Sequence, residues 1–186
     1  NLTRGTGGYF TPDFEISNNL KKIFSAKTKY ICGISWISKN EDIGSKKSIS
    51  LELLKPVLSL ENITFLDIQY NDTTDERKKF YEDNNIKIEK FQGIDNFNDL
   101  NGVSSLIDIC DFVITVSNTN AHLSGALGKK TYLLLPKGKG RLWYWSSENN
   151  KSNWYPSIEI LQQNMVGSWE NTIKNLSNTL RDNFID

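Results

Sequence analysis

Four small polar residues in a row, Ser117, Asn118, Thr119 and Asn120, are followed by Ala121 and by His122, the single histidine of the chain. Such residues cap helices with side-chain oxygens, and a helix start leaves backbone N–H groups free to meet an anion. The run therefore reads two ways: an ordinary cap carried by Asn118 or Thr119, or a phosphate cradle. His122 falls in the first helical turn, where a lone imidazole is either a structural hydrogen-bonder or a catalyst; a multi-histidine metal site is impossible. Lys46 and Lys47 lie in a polar loop over 36–49. They are either a solvated surface pair or a cation placed to neutralise a diphosphate. The third candidate is aromatic. Trp143, Tyr144, Trp145, Trp154 and Tyr155 fall between Pro136 and Pro156, and either stack on a base or sugar or form a satellite core under a long loop. Gly138-Lys139-Gly140 lacks Walker A spacing, and a G-x-G-x-x-G fingerprint is absent.

These residues must be held by regular elements, and the apolar pattern supplies them. Runs at 29–36, 63–68, 111–116 and 131–135, with a weaker one at 86–88, are short, nearly continuous and rich in β-branched residues. That pattern suits strands covered on both faces, as in a parallel sheet. Helical spacing is expected over 50–60 (with Pro56 as a blemish), 74–84, 99–109 and 119–127, and in a C-terminal stripe of Trp169, Ile173, Leu176, Leu180 and Phe184. Strands alternating with helices predict a doubly wound α/β domain of five or six strands. Its ligands belong at the C-terminal ends of the strands. Residues 1–28 are expected to be a lead-in segment, 29–186 the domain proper, and 136–157 a long loop.

Composition narrows the field. The chain has 186 residues, with 22 basic and 22 acidic side chains, and a pI near 6.8. A nucleic-acid binder would show a basic excess, so that class is set aside. With 38% apolar residues the chain can bury a core. No apolar run reaches the length of a membrane span, and no signal peptide is read, so a cytoplasmic location is expected. The opening without Met is read as a piece of a longer chain. Cys32 and Cys110 are too few for a disulfide framework or a zinc site.

The run from Ile114 to Lys129 resembles the V-I-x-V-D-T-x-x-A-H-L-A-G-A-L-G-K/R signature of the C-terminal glycosyltransferase-like domain of bacterial TPR-repeat proteins. That family is related to the heptosyltransferases (glycosyltransferase family 9) and distantly to O-GlcNAc transferases. Trp143-Tyr144-Trp145 and Trp154-Tyr155-Pro156-Ser157 are similar to its W-R-W and W-Y-P-S segments, and Gly167-Ser168-Trp169 to its G-D-W. Gly33-Ile34-Ser35-Trp36, Lys47-Ser48-Ile49-Ser50-Leu51 and Phe65 to Gln69 resemble G-I-S-W, R-S-I-x-L and F-x-S-L-Q. The match runs in order over about residues 8–183.

The resemblance implies the C-terminal, Rossmann-like half of a GT-B fold, which holds the nucleotide-sugar donor without metal or cofactor. The other half supplies the acceptor site and commonly the catalytic base. Ser117, Asn118, Thr119, Asn120 and Ala121 would hold phosphate, and Lys47, with Lys46 as its understudy, would neutralise the leaving diphosphate. Gln69 and Tyr70 would meet the base or ribose, His122 the phosphate loop or donor sugar, and Trp143 and Tyr144 would stack on sugar or base. The implied partners are a nucleoside diphosphate sugar, the N-terminal half and TPR repeats of the parent chain, and a glycan, lipid or protein acceptor. The sequence departs from the family at its Asp, read here as Asn118, and at the Arg of W-R-W, which is Tyr144 with Arg141 nearby. Glu159 and Gln162 replace basic residues. The expected function is donor binding in a metal-independent glycosyltransferase. The alternatives are a degenerate, non-catalytic GT-B module for protein or glycan binding, and an epimerase-like enzyme on the same scaffold.

Overall fold

A computed structural model describes residues 8–24, 29–145 and 147–184, with the backbone alone for 147 and 148. The apolar runs become strands where they were expected: β1 (Tyr30–Ser35), β2 (Ile63–Asp67), β3 (Ile88–Glu89), β4 (Phe112–Val116) and β5 (Thr131–Leu135). Every residue of β4 and β5 is buried, as continuous apolar strands under helices on both faces require. A hairpin of β6 (Ser147–Glu148) and β7 (Lys151–Ser152) then leads into β8 (Ile158–Gln162). The sheet runs β3-β2-β1-β4-β5-β8-β7-β6. It is parallel from β3 through β8 and antiparallel at the hairpin.

β8 and the hairpin lie in and beyond the segment expected as loop. Ile158-Glu159-Ile160-Leu161-Gln162 mixes apolar and polar residues, and only Ile158 and Ile160 of it are buried. The strand is made by its parallel ladder to β5, a non-local contact that local pattern does not reveal.

The helices are α1 (Phe14–Phe24), α2 (Gly44–Lys47), α3 (Leu51–Leu58), α4 (Thr74–Asn84), α5 (Leu100–Asp108), α6 (Thr119–Ala126) and α7 (Glu170–Phe184). Local chemistry sets their ends. Ser50 caps α3 by accepting from Leu53 N, Asp99 caps α5 by accepting from Gly102 N, and Asn85 ends α4 in the left-handed conformation. Pro56 falls in the last turn of α3, where only one helical bond is lost. On one face of the sheet α3 and α7 bury Leu54, Val57, Ile173 and Leu176 against Ile34, Phe65 and Ile114. On the other, α1 and α5 bury Leu20, Phe24, Val103 and Leu106 against Leu66 and Val113. Thus the expected lead-in contributes a helix to the core, while its residues 1–7 and 25–28 lie outside the described residues.

The strand order reverses between β1 and β4. Their following loops pass to opposite faces of the sheet and leave a crevice at the C-terminal edge, the position at which doubly wound sheets bind ligands. Cys32 and Cys110 are free and buried. Among the described residues, no helix is long and apolar enough to cross a membrane.

Candidate functional site

At the reversal point the chain builds a closed polar network. Asn118 is the N-cap of α6, its Oδ1 accepting from Asn120 N at 3.0 Å. Its Nδ2 donates to Ser35 Oγ (2.7 Å) and Ile37 O (3.1 Å). Asn120 Nδ2 donates to Ser35 Oγ (3.1 Å) and Ile68 O (2.7 Å). Ser35 in turn donates to Gln69 Oε1 at 2.9 Å. That oxygen also accepts from Trp36 N (3.0 Å) and Ile37 N (2.9 Å), and Gln69 Nε2 donates to Ile37 O at 3.1 Å. Gln69 is wholly buried. These bonds tie the ends of β1 and β2 to the start of α6. Gln69 is therefore occupied by Ser35 and the protein's own backbone, not by a base or ribose, and the Nδ2 groups of Asn118 and Asn120 are occupied likewise. The expected Asn118 cap is present.

Below Gln69 lies the fully buried Asp67. Its carboxylate accepts from Gln69 N (2.7 Å) and Thr73 Oγ1, and pairs with Arg77 Nε (3.1 Å) and Lys90 Nζ (3.4 Å). Burial pushes the Asp67 pKa up, opposed first by the Lys90 charge and then by the bonds of Thr73 and Gln69. This is a satisfied structural ion cluster.

Lys47 behaves differently. It is 4% exposed, at the end of α2, and among the described residues no hydrogen bond or ion pair engages its ammonium. Burial lowers its pKa. Gly140, with φ of +103°, lets the chain after β5 press onto this helix: a Cβ there would sit 3.2 Å from Lys46 Cβ and 3.3 Å from Lys47 Cγ. Lys46 is exposed beside it.

The Lys47 charge is felt at His122, whose pKa is lowered first by burial and then by that cation. The imidazole stands in an aromatic cage. Trp145 stacks on it (4.7 Å, 25°), Tyr144 is tilted against it (5.3 Å), and Tyr155 OH lies 3.1 Å from Nδ1. Trp145 is fully buried and donates Nε1–H to Ser117 Oγ at 2.8 Å. Of the aromatic cluster, then, Trp145 and Tyr155 build a satellite core with Leu133, Leu135 and Ile158, whereas Trp143 is 81% exposed. The sequence names Trp145 and Tyr155 only as members of the aromatic run, since spacing does not set either apart from its neighbours; the satellite-core alternative describes both. Ser35 escaped the sequence reading, although its place at the end of the first strand was a signal.

On the other side of the α6 start is a cavity of about 320 Å³, lined by Lys39, Tyr70, Asn96, Phe97, Leu100 and Thr119. Tyr70 OH accepts from Lys39 N at 2.6 Å, and Asn96 Nδ2 donates to Asp67 O and Gln69 O. Thr119 is exposed at its mouth. A larger cavity, about 420 Å³, opens beside β3 between Arg77, Lys78, Tyr81 and Lys87. Its cations are already paired with Asp67, Glu82 and Glu89, and it lies away from the crevice. Among the described residues no His, Cys, Asp and Glu cluster forms a metal site.

No model of a known protein family matches the chain. The chain is 29% identical over 152 residues to Protein FlbA of Caulobacter vibrioides, covering 81% of this chain and 25% of that one. Among solved structures it is similar to a family 9 glycosyl transferase from Veillonella parvula (TM-score 0.61, 12% identity, 88% of this chain and 44% of that). It is also similar to E. coli ADP-heptose lps heptosyltransferase II (0.59, 12%, 93% and 52%) and E. coli heptosyltransferase WaaC with ADP (0.57, 13%, 98% and 49%). The likeness is one of fold: a Rossmann-like half of the GT-B architecture. The chain spans about half the length of these glycosyltransferases and a quarter of the curated relative. Counting back from His122 along the signature quoted above puts its Asp at Ser117 and its Thr at Asn118, which corrects the placement of the lost carboxylate at Asn118.

Proposed function

We propose that this chain is the donor-binding half of a glycosyltransferase and holds the diphosphate of a nucleotide sugar between Lys47 and the first turn of α6. One observation carries the reading: a lysine that is largely enclosed and whose ammonium has no anionic partner among the described residues, placed where its charge reaches His122. A partly desolvated cation without a partner is costly, and a bound anion repays its desolvation. A departing diphosphate is such an anion, and the exposed Thr119 amide end of α6 adds the favourable end of a helix dipole. The cavity of Tyr70, Phe97 and Leu100 suits the base and ribose, with Tyr70 alone retained from the two residues the sequence assigned to that contact. WaaC has been solved with ADP, which makes ADP the first nucleotide to try. The acceptor, a glycan, lipid or protein, would dock from the N-terminal half and TPR repeats of the parent chain.

Among the described residues no carboxylate charge is felt at Lys47 or His122. That favours a second reading, a degenerate module that binds the nucleotide or a glycan without transfer. Calorimetric titration of the chain with ADP, UDP, GDP and CMP, repeated on Lys47→Ala, tests the proposal. Selective binding lost in the variant is the expected result; absence of binding to all four refutes the donor role for this chain.

A further inference from the structure

Tyr155 reaches His122 from 33 positions away, across the loop after β5. Its ring is fixed from both sides. Gly125 of α6 lies so close that a Cβ there would come 2.4 Å from Tyr155 Cγ, and Trp145 is tilted against it at 6.1 Å. Tyr9 stacks alongside at 6.5 Å and 21°. Trp145 in turn stacks flat on the imidazole, so neither ring of the Tyr155–His122 pair can turn away from the other. Nδ1 of His122 is thus committed to the Tyr155 hydroxyl, while among the described residues nothing bonds Nε2.

A phenol is the better donor of the two and an imidazole nitrogen the better acceptor, so the proton of this contact belongs to the tyrosine. Burial, followed by the neighbouring Tyr9 phenol, holds the Tyr155 phenol up at about 12, so the donor persists across the neutral range. We propose that Tyr155 is a positioning residue: it donates to Nδ1 of His122 and fixes the imidazole as the Nε2–H tautomer, a neutral N–H donor offered beside Lys47. The bond made by one ring nitrogen decides what the other presents. A neutral donor next to the Lys47 ammonium bonds a phosphate or sugar oxygen without adding a second positive charge to the crevice. This role for the Nε2–H group rests on the nucleotide reading above; the tautomer itself does not.

Because His122 is the single histidine, long-range ¹H–¹⁵N correlation of histidine-labelled protein reports one imidazole. The wild type is expected to show an unprotonated, hydrogen-bonded Nδ1 and a protonated Nε2. Tyr155→Phe keeps the ring in its place against Gly125 and removes only the hydroxyl. In it the two nitrogen shifts should converge as the tautomers mix, and the Kd for ADP should rise about two- to tenfold, the usual range for one lost hydrogen bond. A protonated Nδ1 in the wild type, or the same tautomer in both proteins, overturns the proposal. If ADP and UDP fail to bind the wild type, the nucleotide reading falls alone, and the spectra still decide what Tyr155 does.

Discussion

The two sides of the α6 start are built from similar residues to opposite ends. Toward β1 and β2, Ser35, Gln69, Asn118 and Asn120 bond one another and the backbone at the strand ends, Gln69 and the amide nitrogens of both asparagines being taken up by protein partners. Toward the loop after β5, Lys47 and the Nε2 of His122 are half enclosed and have no such partner among the described residues. A satisfied buried network fixes geometry; an unsatisfied one keeps binding capacity in reserve. Here the first holds the crevice rigid so that the second can be open. The difference shows that polarity at a strand end does not by itself mark a ligand contact. What matters is whether the protein has already used it.

That contrast can be broken by experiment. Gln69→Leu deletes the hub and leaves the amides of Trp36 and Ile37 unpaired, so chemical denaturation should show a loss of about 3 kcal/mol. A loss below about 1 kcal/mol would mean that the network is not structural. Asn118→Asp keeps the cap but forfeits both donors and sets a carboxylate against Ile37 O. We expect it to cost about 2 kcal/mol by the same assay, without any gain in nucleotide affinity.

Lys47→Met should act in the opposite sense. Affinity for the nucleotide falls by about tenfold or more, while stability holds or rises by up to about 1 kcal/mol as a partly desolvated, unpaired charge is removed. Its pH dependence sharpens the point. Because the folded pKa lies below the ordinary 10.5, the unfolded chain binds more protons between the two values. Stability of the wild type relative to the variant should therefore rise with pH up to 10.5. A flat difference would place Lys47 in solvent. The smallest effect is spectroscopic. ADP binding should raise the depressed His122 pKa, since a diphosphate opposes the Lys47 charge and can bond the imidazolium; an NMR titration with and without ADP reads it directly.

Much of the fold was legible because its signals are local. The five expected strands and the helices after them follow from short apolar runs and 3.6-residue spacing, which each segment carries alone. β8 was not legible: its residues alternate without a clean pattern, and the ladder to β5 makes it a strand. Of the site, Lys47, Asn118 and His122 were visible as residue types placed after strands. Gln69 was visible too, but its occupation was not, since the sequence shows a carboxamide and not its four partners.

What the sequence determined by itself is the order of β and α segments and the cap at Asn118, because spacing and side-chain chemistry act within a few residues. Which polar groups are consumed and which remain open was decided by tertiary structure. Ser35 and Asn118 are 83 positions apart, and His122 and Tyr155 are 33 apart. Lys47 is packed against by the chain at Gly140, 93 positions away. Desolvation and pairing depend on what surrounds a group in space, and neighbours in sequence supply little of that.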